Sequence, residues 1–250
     1  MTTTRHVKKV YQKGYAKTKH LLSDPRLTKV LEIAKKNYRG KVDKLLDLGC
    51  GDGYSTKILA AALKAKRSFG IDIASEAVKM AKESDINAIQ LDIDESNFPY
   101  PVNYFDFIFC GNIIELVADA DHLLSEVKRT LKPNGICLVT FPNIASWLSR
   151  IALFCGYLPF YYRVSTHYDL GKMFGSVKRG GSTGFIRLFN LSSFSLLADL
   201  HGLKNNYSYG IYEESLPAPI KFIDKIFSNY PPLASRLICV LTPNPDKITK

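Results

Sequence analysis

The chain has 250 residues, room for one large domain, and its 46% hydrophobic and 23% charged residues are ordinary for a globular protein. No stretch is apolar for long enough to span a bilayer, and Met1-Thr2-Thr3-Thr4-Arg5 lacks the apolar core of a secretion signal, so a cytoplasmic location without a transmembrane segment is expected. The net charge of +11 sits at one end: residues 1–44 hold thirteen Lys and Arg against three acids, and residues 45–250 are nearly balanced. Such a segment suits anionic lipid, nucleic acid or a phosphorylated substrate, and a plain solvated helix face explains it equally well. The cysteines, Cys50, Cys110, Cys137, Cys155 and Cys239, are odd in number and form no C-x-x-C pair. Cys110, Cys137 and Cys239 fall in or at the end of apolar runs, so buried free thiols are expected, and neither disulfides nor a metal site.

From His6 to Lys19 the chain is basic, with Tyr11 and Tyr15 spaced to share one helical face. A turn at Ser23-Asp24-Pro25 precedes a second helix through Leu27, Val30, Leu31 and Ala34, which stops at Gly40. Leu45-Leu46-Asp47-Leu48 then reads as a buried parallel strand running into the turn Gly49-Cys50-Gly51-Asp52-Gly53. The dinucleotide fingerprint G-x-G-x-x-G fails, because Tyr54 stands at its third glycine. What remains is D-x-G-x-G-x-G, from Asp47 to Gly53.

A helix Ser55–Leu63 and a strand Arg67–Asp72 follow. Asp72 stands at the strand end nineteen residues after Gly53, where a carboxylate can accept both hydrogen bonds of a ribose diol or cap the helix Ser75–Lys82. The third strand is Ala88–Asp94, the fourth Tyr104–Cys110. A helix Asp121–Leu131 leads through the turn Lys132-Pro133-Asn134-Gly135, with Asn134 expected in the left-handed conformation, to a fifth strand Ile136–Phe141. This alternation predicts a doubly wound parallel sheet whose strand-end acids face one crevice.

Residues 143–190 are aromatic and irregular, with a helix that the stretch Pro142–Trp147 starts and that runs through about Leu153. A helix Leu191–Leu200 closes at His201-Gly202, and strands near Lys204–Tyr212 and Leu237–Thr242 bring the sheet to seven. Between them Pro219–Phe227 is amphipathic, with Lys221, Asp224 and Lys225 as its polar face. It either docks on the sheet or lies on a membrane surface, and docking is favoured.

The stretch Asp47–Gly53 resembles the first motif of the class I S-adenosylmethionine-dependent methyltransferases. The resemblance implies a Rossmann-like seven-stranded, mostly parallel sheet, with S-adenosyl-L-methionine bound by Asp47, Gly49, Cys50, Gly51 and Gly53 at its methionine part. It likewise implies Asp72 with Ile73 at the ribose, and Asp92 with Ile93 at adenine, Asp94 being the alternative acid. Cys110-Gly111-Asn112-Ile113-Ile114-Glu115-Leu116 is similar to the family's fourth motif, which places Cys110 and Asn112 beside the reactive methyl group. Many small-molecule relatives carry Glu-His where this chain has Glu115-Leu116. Gly184-Phe185-Ile186-Arg187-Leu188-Phe189 is similar to a Gly-His-Ile-Arg-Leu-Phe stretch of methyltransferases near methionine and cell-envelope pathways, with Phe185 in place of the histidine.

One domain is therefore expected: basic N-terminal helices over 1–44, a cofactor-binding core over 45–142, an aromatic cap for the acceptor over 143–190, and the rest of the sheet over 191–250. The resemblance implies methyl transfer to a small or lipid-linked acceptor, with oxygen favoured. His167 and Glu115 are the candidate general bases, and Arg187 suits an acceptor's carboxylate or phosphate, or pairs with a nearby acid. The runner-up makes the acceptor RNA or protein through the basic N-terminus, although the Asn-Pro-Pro-Tyr or Asp-Pro-Pro-Tyr sequence common in amino-directed enzymes is absent. A third reading, from Leu116 and Phe185, is a cofactor-binding protein without catalysis.

Overall fold

A computed structural model of the protein describes residues 25–38, 40–165, 168–173, 178–179, 185–245 and 247. In chain order the main elements are α1 Pro25–Asn37, β1 Lys44–Leu48, α2 Tyr54–Leu63, β2 Arg67–Asp72, α3 Ser75–Glu83, β3 Asn87–Gln90, β4 Phe105–Gly111, α4 Ala120–Thr130, β5 Leu131–Pro142 and α5 Trp147–Phe154. Two short strands, β6 Tyr168–Asp169 and β7 Lys178–Arg179, pair with each other, and α6 Leu191–Leu200, β8 Leu203–Ile211, α7 Ala218–Phe227 and β9 Arg236–Pro243 follow.

The seven-stranded sheet has the order β3-β2-β1-β4-β5-β9-β8. Strands β3 through β5 are parallel, while β9 runs antiparallel between β5 and β8. Successive side chains of a strand point to opposite faces, so the unbroken apolar run of a central strand feeds two cores at once. Leu46 and Ile108 pack on one face with Leu123 of α4 and Phe194 of α6. Leu45 and Phe107 pack on the other with Val30 of α1 and Leu59 of α2. Cys50, Cys110, Cys137 and Cys239 are buried and Cys155 is exposed.

Gly202 takes the left-handed conformation (φ 69°) just past α6, as its position after the helix predicts. His201 there bonds Asp121 Oδ1 through Nε2 at 2.8 Å and meets Ser125 Oγ at 3.0 Å, tying α6 to α4.

Two expectations need correction. The turn at Lys132–Gly135 lies inside β5: Leu131 pairs with Phe105 and Ile136 with Phe107, five steps on one strand against two on the other. The surplus residues form a bulge, which removes the need for a left-handed residue, and Asn134 is not one. The second concerns α7, which does not dock by its apolar side. Phe222 and Ile226 are 67% and 57% exposed, and Asp224 is its one buried residue. The reason is donor supply, since Asp224 accepts hydrogen bonds from Trp147 Nε1 at 2.6 Å, Ser235 Oγ at 2.7 Å and the Glu213 amide at 2.6 Å.

Candidate active site

The parallel strands change winding direction between β1 and β4, and the crevice outside their carboxyl ends is where such sheets bind ligands. A cavity of about 190 Å³ lies there. The β1 end supplies Asp47, Gly49, Cys50 and Asp52, the β4 end Gly111 and Asn112, β5 Thr140, β9 Arg236, and α1 contributes Arg26, Leu27 and Val30.

On the β1–β3 side the glycine turn explains the tight approach. Gly49 has φ 72°, and a Cβ built on it would lie 2.0 Å from Ile113 Cδ1, so loop and post-β4 segment touch only because the side chain is absent. Asp47 is 2% exposed, and Thr56 Oγ1 donates to its Oδ2 at 2.5 Å. Burial lifts its carboxyl to about 7 against the pull of that hydrogen bond, with Asp72 adding a smaller push. Asp72 accepts the Gly51 amide on Oδ2 and the Ala74 amide on Oδ1, both at 2.9 Å. Burial raises its pKa despite those amides, and each oxygen keeps a lone pair for a diol. Asp92 and Ile93 follow the short β3, half-buried, and the Asp92 carboxylate accepts the Asp94 amide at 3.1 Å. Asp94 Oδ1 accepts the amides of Ala118 and Asp119 ahead of α4.

On the β4–β9 side a polar junction closes the cavity. Arg236 donates through Nε to Glu213 Oε2 at 2.7 Å and through Nη1 to Asn112 Oδ1 at 3.2 Å, with its guanidinium carbon 5.2 Å from the Tyr161 ring centre. Tyr161 donates to the same Glu213 oxygen at 2.7 Å. Burial pushes Glu213 up, but the Arg236 charge and the hydrogen bonds from Tyr161, Arg236 and Ser215 take it down to about 2. Asn112 holds φ 55°, a sparsely populated conformation, while its amide bonds the Thr140 carbonyl at 3.0 Å.

Of the sequence-predicted residues, the structure brings Asp47, Gly49, Cys50 and Asn112 to the cavity wall, with Gly51 joined to Asp72 behind it. Gly53 caps α2, and Ile73 lies half-buried beyond β2. Cys110 and Glu115 are buried apart from the cavity. Glu115 is 1% exposed, neither carboxyl oxygen has a hydrogen-bond partner among the described residues, and burial lifts it to about 8. Its carbonyl accepts the amides of Ile186 and Arg187, which fastens the 185–189 stretch to the post-β4 segment. Arg187 donates to the Ala118 carbonyl, a fastening role. His167, Gly184, Tyr11, Tyr15, and the turn residues Ser23 and Asp24 lie outside the described residues.

Sequence reasoning missed Arg26, Thr56, Thr140, Tyr161, Glu213 and Arg236. The only local signal for Arg236 is a charge abutting the apolar run Leu237–Leu241.

Sheet order, switch-point cavity and glycine turn together define a Rossmann-like fold of the class I methyltransferase type. The model of the methyltransferase domain matches residues 46–139. The mitochondrial arginine-hydroxylase NDUFAF5 of Rattus norvegicus is 27% identical over 74% of this chain and 58% of its own length. Malonyl-[acyl-carrier protein] O-methyltransferase of Calditerrivibrio nitroreducens is 28% identical over 56% and 60%. The chain thus spans about three fifths of the length of these curated relatives. Among solved structures, a SAM-dependent methyltransferase from Archaeoglobus fulgidus superposes with a TM-score of 0.57 at 15% identity, covering 88% of this chain and 94% of that one. A protein from Pyrococcus horikoshii superposes with a TM-score of 0.58 at 17% identity over 98% and 100%.

Residues 46–139 thus carry a methyltransferase domain on the class I fold, a domain that takes S-adenosylmethionine as its cofactor. The residues present fit it: the acids Asp47 and Asp52 and the arginine Arg26 give the cavity wall the charges an amino-acid zwitterion needs, while Asp72 and Asp92 lie further along the crevice. Among the described residues no helix is long and apolar enough to cross a membrane.

Proposed function

We propose that the protein transfers a methyl group from S-adenosylmethionine to oxygen of a small or lipid-linked acceptor in the cytoplasm, with residues 45–142 holding the cofactor and 143–190 capping the acceptor. The observation that carries the reading is the row of acids Asp92, Asp72 and Asp47 at successive strand ends, leading to a cavity closed by Arg236. The cofactor supplies an electrophilic methyl on a sulfonium whose departing thioether is neutral. The chain's task is mostly alignment, which alone supplies a large part of such rate enhancements. Thr56 fixes the Asp47 carboxyl for the cofactor's ammonium side, the Gly51 and Ala74 amides fix Asp72 for the ribose, and Asn112 marks the start of the acceptor side. For an acceptor that must shed a proton, His167 and Glu115 are the candidate bases. Glu115 carries its own proton below about pH 8, so it serves as a base only above that.

Calorimetric titration of S-adenosylmethionine and S-adenosylhomocysteine tests the reading. Micromolar binding, weakened tenfold or more by Asp72→Ala, a loss of about 1.4 kcal/mol, is expected. A folded wild type that binds neither ligand overturns it. The relative named as an arginine-hydroxylase supports a second reading, in which the cofactor binds and its methyl is never transferred. Methyl-labelled cofactor separates the two, because only transfer moves the label to an acceptor.

A further inference from the structure

Arg236 is a buried cation with one nitrogen, Nη2, left uncommitted among the described residues. Its side chain is 13% exposed, Nε and Nη1 are committed to Glu213 and Asn112, and Tyr161 lies beneath the guanidinium plane. Nη2 makes no hydrogen bond among the described residues, and the residue lines the cavity beside Asn112 and Thr140. Nη2, the nitrogen common to both edges of the guanidinium, keeps its donors for one oxygen of an anion while Glu213 and Asn112 fix the plane.

We propose that Arg236 holds the carboxylate of the methyl acceptor, so that the acceptor is a carboxylic acid methylated on a carboxylate oxygen. This rests on the methyltransferase reading and specifies its substrate class. The side of the cavity decides between acceptor and cofactor. The acids expected to bind the cofactor stand on β3, β2 and β1, whereas Arg236 enters from β9, three strands beyond β1, and reaches Asn112 after β4. Arg26, on α1, lines the same cavity and suits the cofactor's own carboxylate.

The chemistry agrees with what the chain lacks. Leu116 stands where many relatives carry a histidine, and Glu115 lies buried apart from the cavity. A carboxylate is already ionised, so no base is required. One oxygen stays on Nη2 while the other forms the O–CH3 bond; the C–S bond breaks with its electron pair going to sulfur, and no proton moves. An anion and a sulfonium become a neutral ester and a neutral thioether, which balances atoms and charge.

The test uses the protein saturated with S-adenosylhomocysteine and titrated with acetate, with acetamide as the uncharged control, followed by NMR. The variants are Arg236→Lys, which keeps the charge and loses the fork, and the double variant Glu213→Gln with Arg236→Gln, which leaves no lone buried charge. Saturable acetate binding at least tenfold tighter than acetamide is expected in the wild type. It should weaken tenfold or more in the double variant and less in Arg236→Lys, with S-adenosylhomocysteine affinity held within twofold. Acetate no tighter than acetamide, or acetate binding indifferent to the double variant, overturns the proposal. A tenfold loss of S-adenosylhomocysteine with acetate unchanged also overturns it, by assigning Arg236 to the cofactor's carboxylate. If the double variant does not fold, Arg236→Lys decides: acetate binding as tight as in the wild type sinks the proposal. A wild type that binds no S-adenosylhomocysteine is a failure of the methyltransferase reading itself, visible before acetate is added, and the acceptor class falls with it.

Discussion

The two sides of the crevice bury carboxylates in opposite ways. On the β1–β2 side Asp47 and Asp72 are held by a hydroxyl and by backbone amides, and burial raises both, Asp47 to about 7. On the β9 side Glu213 is similarly enclosed, its side chain 12% exposed, yet Arg236 and Tyr161 draw it down to about 2. What differs is a protein counter-charge. The β9 side carries its own cation beside Glu213, whereas on the β1–β2 side Asp47 and Asp72 are held by a hydroxyl and amides, an arrangement that a cationic ligand complements.

Removing the cation should abolish that difference at the greatest cost. Arg236→Gln alone leaves Glu213 buried without its partner and should lose about 3–5 kcal/mol in urea unfolding, most of it recovered by adding Glu213→Gln. Next comes acid. Glu213 is lowered from 4.5 to about 2, so its contribution is present above about pH 4.5 and lost as pH falls towards 2, close to 3 kcal/mol in all. Asp47 has the opposite sign: raised from 3.8 to about 7, it favours the folded state fully below about pH 3.8 and loses that contribution as pH rises through 7. Unfolding free energy followed from pH 8 to 2 in wild type and the Glu213→Gln/Arg236→Gln double variant isolates the acid limb, which should flatten in the variant.

Gly49→Ala attacks the cofactor side through its backbone. The left-handed φ costs about 1–2 kcal/mol, and the clash with Ile113 adds to it. Ile113→Ala in the same chain should recover the clash and leave the backbone part. Smaller still, Thr56→Val removes the hydroxyl that Asp47 uses, at about 1 kcal/mol. S-adenosylhomocysteine carries an ammonium that favours ionised Asp47, so its affinity should rise as pH passes about 7 and level off in Asp47→Asn. A flat profile in the wild type would show that Asp47 is ionised without the ligand.

The same contrast decides what was legible in the sequence. Asp47 to Gly53 is contiguous, Asp72 ends a recognisable strand, and both duties follow from local geometry, so the chain itself displays the cofactor side. Arg236, Glu213 and Tyr161 meet only because β9 runs antiparallel between β5 and β8, a pairing no local pattern announces. Periodicity located α7 to within a residue and misjudged its orientation, because the donors that draw Asp224 inward lie 77 residues away on Trp147 and 11 away on Glu213 and Ser235. The bulge in β5 hid for a related reason: Lys-Pro-Asn-Gly has the composition of a turn, and only the register of β4 shows that the strand continues through it.

The inverted seating of α7 also bears on its local stability. Most helices are held to their sheet by an apolar face, but α7 is held through Asp224 by Trp147, the Glu213 amide and Ser235. Native-state hydrogen exchange should therefore show α7 opening at lower free energy than β1 and β4. Glu213 is gripped at its amide by Asp224 and at its carboxylate by Arg236. Opening of α7 would thus loosen both grips on Glu213 and with them the seat of Arg236 in the cavity wall.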